Sequence, residues 1–576
     1  MTSYPENAAR SASAHWQQVW PELFDCDRDL SLPYPHVPVS ALLQTAARRF
    51  PDRAACTLFG QPTTYAELDD QARRLARALA ELGARPGRHV GMFLPNIPEY
   101  LIALQATWLT GATVLQLSPL MVAEEVAHWL EAVGCHIVIT LDLLAPVVMG
   151  AMGRGPLEHI ITASLVPHIS LWRGWLYRIE HLRRNGSLRL REDAHHHRFD
   201  NLLQTGPLEQ SPPVVPAEDV AVLAPTGGTT ASPKAVMLTH RNLVANAFQL
   251  RHWVGGEDGT ESTLGVLPLF HAYGLTTTVL TTWVKGGTVH LLPRFEARAA
   301  LRVMERYRTE LVAVVPLMLN ALNQVLRRRP RDLSYIRAVV SGASALDPAV
   351  RAEFETYHPQ HLVEGYGLTE ASPVTHANPL GPGNRPGTIG LPLADTEARV
   401  VDPVTGVGEV PDGTVGELVV RGPQVMKGYF NNPEATAAVL RDGWLYTGDL
   451  ARRDADGYFI LVDRKKDIIK TSGYLVYPAE VEEVLAMFPG VAEAAVIGRP
   501  DAERGEVVTA LVVARDQARL DLAALERYCR EHLGKHKRPR QIEVVAELPK
   551  NFLGKVLRRR LREMAGRGPA VGPAAT

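Results

Sequence analysis

Between Pro62 and Gly83 the apolar positions recur at helical spacing, with Leu68, Ala72, Leu75, Leu79 and Leu82 on one face. Thr64 and Glu67 frame its start as a capping box and Gly83 closes it, which predicts a helix of about 20 residues. The period then shifts. Val90–Leu94 reads as a buried strand, Glu99–Leu109 as a helix, and Thr113–Leu117 and Cys135–Ile139 as further strands. Val220–Leu223 and Val236–Leu238 are two more short apolar runs, and Thr239 opens a helical pattern after the second. Such alternation predicts an α/β fold of layered, largely parallel sheets, whose ligands gather beyond strand ends. Residues 381–428, dense in Gly, Pro and short Val runs, predict a β-rich subdomain. Past Lys466 a helix (480–487), strands (494–498, 509–513), a helix (520–531) and a strand (542–545) predict a compact α+β domain of about 100 residues.

A chain of 576 residues is too long for one core. The expected division is a lead-in over 1–34, a large N-terminal domain over 35–463, a hinge at 464–466, a small mobile C-terminal domain over 467–565 and a disordered Gly/Pro/Ala tail over 566–576. With 61 basic against 62 acidic residues no global field favours nucleic acid, so any charge effect is local. Cys26, Cys56, Cys135 and Cys529 are scattered, which indicates neither a zinc site nor a disulfide framework and suits a reducing cytoplasm. The first residues lack the apolar core of a signal peptide, and no run of about 18 apolar residues occurs, so neither secretion nor membrane spanning is expected.

Residues 165–191 interrupt the rhythm: Trp172, Trp175, Leu176 and Ile179 are interleaved with Arg173, Arg178, Arg183, Arg184, Arg189 and Arg191. Two readings stand. The stretch is either an ordinary helix packed on the body or a peripheral contact with the inner, anionic face of a membrane. His195, His196 and His197 just after it read as a solvated loop rather than a metal site.

Between the two central strands lies Ala224-Pro-Thr-Gly-Gly-Thr-Thr-Ala-Ser-Pro-Lys-Ala235. Gly227 and Gly228 let backbone N–H groups turn inward, the hydroxyls of Thr226, Thr229, Thr230 and Ser232 add donors, and Lys234 adds a positive charge. This is a candidate phosphate cradle. It is not the Walker loop, because Pro-Lys-Ala follows and the context is strand, loop, strand. Read alone, it could also be a Gly/Thr surface loop.

Further motifs follow in order: Pro268-Leu-Phe-His271, Ser341-Gly-Ala343, Glu364-Gly-Tyr-Gly-Leu-Thr-Glu370, Tyr446-Thr-Gly-Asp449, Asp463-Arg-Lys-Lys466 and Pro549-Lys-Asn-Phe-Leu-Gly-Lys555. The ordered set resembles the adenylate-forming superfamily of acyl-CoA synthetases, luciferases and peptide-synthetase adenylation domains, over residues 35–565. The resemblance is greatest to bacterial long-chain fatty-acid-CoA ligases, and it implies an AMP-forming acid-thiol ligase. ATP and magnesium would be its cofactors, with a fatty acid or related carboxylic acid and CoA as substrates.

The resemblance also implies residue roles. Thr226 to Lys234 would hold the β- and γ-phosphates. Thr369 and Glu370 would lie at the α-phosphate and the magnesium ion, for which a single carboxylate is appropriate because magnesium keeps several waters. Asp449 would accept both ribose hydroxyls, Arg464 would add a donor, and Gly342, Ala343, Gly365, Tyr366 and Gly367 would frame adenine. His271 would position the acyl carboxylate, the run 275–283 would wall an apolar acyl tunnel, Lys555 would bridge carboxylate and α-phosphate, and Lys466 would be the hinge residue, with Gly473 facing a pantetheine channel. Residue by residue, plainer readings stay open: a capping acid at 370, a core histidine at 271, a turn aspartate at 449. The chain departs from the pattern with Leu553 where Ser is usual, and with Gly228, Ala231 and Ala235 where Ser, Gly and Gly are frequent. Rival readings are an acyl-AMP ligase serving a carrier protein, a ligase for an aryl or specialised acid, and a catalytically silent lipid-binding protein on the same scaffold.

Overall fold

The computed structural model describes residues 31–169, 171–185, 192–226, 234–358, 362–501, 503–515, 520–550 and 554–565. The lead-in up to residue 30 and the tail from 566 lie outside them. The chain separates into two compact units, one of residues up to 227, 232–397 and 421–443, the other of 228–231, 398–420 and 444 onward.

In the larger unit helix α1, Tyr65–Glu81, starts where its sequence says. The Thr64 N–H donates to Glu67 Oε2 at 2.7 Å and the Glu67 N–H to Thr64 Oγ1 at 3.2 Å, so two groups that a helix start leaves orphaned satisfy each other. Leu68, Ala72, Leu75 and Leu79 are buried, and Gly83 takes a φ of +94° just past the end. The neighbouring helix Pro98–Leu109 is buried at every residue, which explains why its sequence shows no polar face. Helix α2, Leu171–Asn185, is different. Tyr177 donates a short hydrogen bond to Asp142 and His181 is buried, whereas Trp172 is 62% and Trp175 64% exposed, with Leu176, Ile179 and Leu182 also outward. The body therefore takes one stripe of this helix and leaves its most apolar one uncovered.

Two large sheets carry the unit. The first has eight strands, mostly parallel, and contains strand β1, Val220–Thr226, and strand β2, Lys234–Thr239, as an antiparallel hairpin. At its far edge His196–Arg198 pairs with Ile160–Thr162, so His196 and His197, expected in a loop, belong to an edge strand, while His195 stays in the exposed bend before it; Asp193 accepts from the backbone of His195 and His196 and sets the strand's start. The second sheet has nine strands. Helix α3, Ala297–Tyr307, leads into its strand β3, Leu311–Val314, and helix α4, Pro316–Arg328, leads away. Farther along is strand β4, Leu362–Gly367. A two-residue strand, β5, Gly428–Tyr429, then returns to the first sheet beside β2.

In the smaller unit strand β6, Trp444–Arg453, pairs with strand β7, Phe459–Arg464. Beyond them a five-stranded sheet packs the helix Pro478–Ala486 and the helix Leu522–His532 around Ile469, Val496, Ala510 and Leu525. Helix α5, Arg558–Ala565, closes the described chain. The helices and strands expected between 480 and 545 occur in that order, while the hairpin of Ile469–Thr471 and Tyr474–Val476 before them and helix α5 after them had no counterpart in the expectation.

Candidate functional site

Hairpin β1–β2 closes on the pair Thr226 and Lys234, where Thr226 Oγ1 donates to the Lys234 carbonyl at 3.1 Å. The phosphate-loop residues Gly227, Gly228, Thr229, Thr230 and Ser232 lie outside the described residues, while both ends of the loop are fixed by the ladder. Strand β5 extends that ladder by pairing Gly428 with Met237 and Tyr429 with Val236. Gly428 has a φ of +149°, and a Cβ there would meet Thr436 Cγ2 at 2.8 Å, so the approach requires glycine. The pairing carries Tyr429 under Lys234, whose ammonium stands 4.7 Å from the ring centroid. The same phenol donates to Glu370 Oε1 at 2.8 Å, and the Met426 N–H donates to the Glu370 carbonyl at 2.8 Å. Burial, then the Glu370 carboxylate, raises the Tyr429 phenol well above its ordinary value, so it stays a donor. Lys234 and Glu370, 136 residues apart in the numbering, thus meet on one tyrosine.

Glu370 is the middle residue of a single turn, Thr369–Ala371, next to Thr369. One of its carboxylate oxygens is held by the phenol, and the other has no partner among the described residues. A partly exposed hard oxygen of this kind fits a divalent cation that retains most of its waters. Strand β4 brings up the adenine candidates: Gly365 pairs with Ala377, Tyr366 with His376 and Gly367 with Val374. A Cβ on Gly367 would meet the Pro373 carbonyl at 2.1 Å. The Tyr366 ring stands edge-on to His376 at 5.9 Å, and burial pushes that histidine down to about 3, so it is neutral.

His271 caps a short turn, its Nδ1 accepting from the Tyr273 N–H at 3.2 Å. Burial pushes its imidazole down to about 4, which leaves it an uncharged hydrogen-bonding group at neutral pH. Tyr273 donates to the Val340 carbonyl at 3.1 Å, and its hydroxyl lies 3.0 Å from where a Cβ on Gly342 would be. His271 and the Gly342 turn are therefore joined through Tyr273; Ala343 follows at a φ of +71°. The run after His271 is a π-helical stretch, Leu275–Leu280, buried except at Thr277. Such stretches are costly and concentrate at functional sites.

The smaller unit gathers a second set. Asp449 on β6 and Arg464 on β7 are ladder partners, with Arg464 Nε 3.2 Å from Asp449 Oδ1. Lys466 sits in the turn Lys465–Asp467. Burial and then the Arg464 charge push Lys555 down to about 8, with Asp449 opposing and Lys466 and Arg558 adding to the fall. Lys466 is lowered by burial and Arg464 as well. Asp449, Arg464, Lys466 and Lys555 therefore share one electrostatic environment. Gly473 stands apart at a hairpin tip, with a φ of +82° and open space where a Cβ would go.

Three residues carry this geometry without a sequence signal of their own. Tyr429 and Tyr273 are two. The third is Arg558 on α5, which bonds Glu482 at 2.7 and 2.9 Å and lies 3.5 Å from Asp467. Asp463 accepts from the Ala479 N–H at 2.8 Å and Asp467 from Arg562 at 2.9 Å, so both residues flanking 464–466 are tied down.

Residues 43–430 match the family model described as AMP-binding enzyme, and residues 480–555 match that of the AMP-binding enzyme C-terminal domain. A long-chain-fatty-acid–CoA ligase of Bacillus subtilis (strain 168) is 38% identical, covering 95% of this chain and 98% of its own length. A feruloyl-CoA synthase of an Amycolatopsis species is 37% identical, covering 90% of this chain and 97% of its own length. Among solved structures, ATP-bound MatB from Rhodopseudomonas palustris superposes with a TM-score of 0.80 at 28% identity, over 92% of this chain and 99% of that one.

Proposed function

The chain belongs to the AMP-binding enzyme family, and we propose that it is an ATP-dependent, AMP-forming fatty acyl-CoA ligase. The carboxylate of the acid attacks the α-phosphorus of ATP and pyrophosphate leaves; the CoA thiol then attacks the acyl carbon, loses its proton and displaces AMP. The observation that carries this reading is the joint placement of Lys234 and Glu370 on Tyr429. Bringing two anions together requires fixed positive charge and an ordered metal ligand, and both are present before substrate arrives. A bound magnesium ion would neutralise phosphate charge, held by the free oxygen of Glu370.

The chain's own residues divide the remaining work. Lys234 and Thr226 present the phosphate loop; Tyr366 and the Gly342 turn offer adenine a flat, closely approached floor. Asp449 accepts ribose hydroxyls with Arg464 beside it. Neutral His271 orients the acyl carboxylate. Lys555 supplies a cation in the first step, and turning of the segment at Lys466 withdraws it for the second, when the surface around Gly473 serves the thiol.

A feruloyl-CoA synthase at 37% identity favours keeping an aryl acid as the second reading. Pyrophosphate release measured across saturated fatty acids, ferulate and other cinnamic acids, with and without CoA, separates them. Release with fatty acids and CoA-dependent thioester formation are expected; preference for ferulate supports the second reading, product formed only on an acyl carrier protein replaces the acceptor, and no release with any acid overturns enzymatic activity. The uncovered tryptophan stripe of α2, flanked by Arg178, Arg183 and Arg184, supports reversible contact with an anionic membrane surface, where long-chain acids partition.

A further inference from the structure

Between α3 and α4 lies a cavity of about 510 Å³ with a basic wall, formed chiefly by Arg298, Arg302, Gln324, Arg328, Arg329 and Arg331. Its place in the sheet sets it apart from the nucleotide candidates. Helix α4 begins at Pro316, directly after β3 ends at Val314, and β3 runs parallel to the strand that delivers Ser341 and Gly342. The helix start therefore lies at the strand ends that carry the adenine candidates. At 1.5 Å per residue its last turn is about 18 Å farther along the axis.

Five guanidinium groups face few carboxylates here. Arg331 bonds Glu305, yet its side chain is only 12% exposed and its Nε is buried without a hydrogen-bond partner. Arg302 approaches Glu296 no closer than 3.9 Å. No ion pair reaches Arg298, Arg328 or Arg329 among the described residues. A solvated basic helix end accounts for part of this, because Arg328 sits where the α4 dipole is negative. It does not account for Arg298, which stands in the first turn of α3, at the positive end of that dipole; the N-cap Glu296 approaches Arg302 instead and forms no ion pair with Arg298 among the described residues. Guanidinium groups from two helices converge on one concavity, where a bound anion would find several donors at once.

Planar guanidinium groups grip phosphate oxygens in pairs, and the cavity has room for more than one phosphate. We propose that this cavity is a second anion site that takes a phosphate-bearing ligand, either a soluble phosphate ester or the headgroup of an anionic phospholipid. The site is separate from the proposed ligase chemistry and does not depend on it.

Binding of inorganic pyrophosphate to the full chain, with a saturating non-hydrolysable ATP analogue and magnesium present to fill both the nucleotide site and its phosphate loop, tests the soluble source. Sedimentation with phosphatidylcholine vesicles, with and without phosphatidic acid, tests the lipid source. Both are compared with R298A/R329A and, because Arg329 lies exposed beyond the helix end, with R329A alone. Loss of at least about tenfold in affinity for either probe in R298A/R329A, with an unchanged melting temperature and partial restoration in R298K/R329K, supports the site and identifies its source. If the double variant does not fold, a several-fold loss in R329A supports it in the same way. Equal binding of both probes by wild type and variants, or no binding by wild type, overturns it.

Discussion

Glu370 and Tyr429 form the pair on which the smallest changes have the clearest consequence. Removing the carboxylate charge in Glu370→Gln is expected to slow pyrophosphate release about 100- to 1000-fold, since a preorganised electrostatic group is lost. Tyr429→Phe removes only the hydrogen bond that orients it and leaves the ring under Lys234; about tenfold is expected, with the loss falling on the magnesium concentration needed for half-maximal rate. An equal magnesium requirement in both proteins would mean that Tyr429 does not orient Glu370. Lys555 gives a pH signature. Its amine is pushed down to about 8, so it is charged below that pH and loses its proton above it. Adenylation should therefore fall about tenfold per unit above pH 8 in wild type, and that limb should be missing from Lys555→Ala. Lys234, Glu370 and Lys555 stood out in the sequence because each belongs to a dense local motif. Tyr429 did not: Lys-Gly-Tyr-Phe is an unremarkable run, and its meaning arises only when a two-residue strand joins a hairpin nearly 200 residues earlier.

At the scale of elements, legibility followed local periodicity. Helix α1 could be read to within a few residues because capping box, apolar stripe and closing glycine agree. The helix Pro98–Leu109 was legible as a helix, though its complete burial was not, since burial depends on two layers that no window of sequence contains. Helix α2 left two readings open because an apolar stripe looks the same whether a body or a lipid surface covers it. The structure leaves Trp172 and Trp175 outside the packed stripe. W172S/W175S is expected to weaken sedimentation with anionic vesicles while the melting temperature stays within a few degrees, and binding by wild type should weaken as salt rises. Undiminished sedimentation in the variant would place the contact elsewhere.

For the whole molecule the expected consequence is a division of labour in time. Lys555→Ala should lose acyl-adenylate formation yet still pass a supplied acyl-adenylate to CoA. Lys466→Pro fixes φ near −65° and should do the reverse. Two folded variants that lose both half-reactions equally would remove the alternation mechanism. The tie of Asp463 and Asp467 to the helices beyond them was not legible in the sequence, because charge pairs carry no sequence spacing. The ladder of β1, β2 and β5 has one more consequence, for recombination between relatives. Segment 220–239 and segment 426–430 are distant in the gene but share backbone hydrogen bonds, Phe430 to Ala235 and Lys427 to Met237. A single-residue deletion or insertion near Gly428 would turn Tyr429 to the opposite face of its strand and part Lys234 from Glu370 at one stroke. Functional chimeras should therefore keep the length of both segments unchanged, whichever parent supplies them.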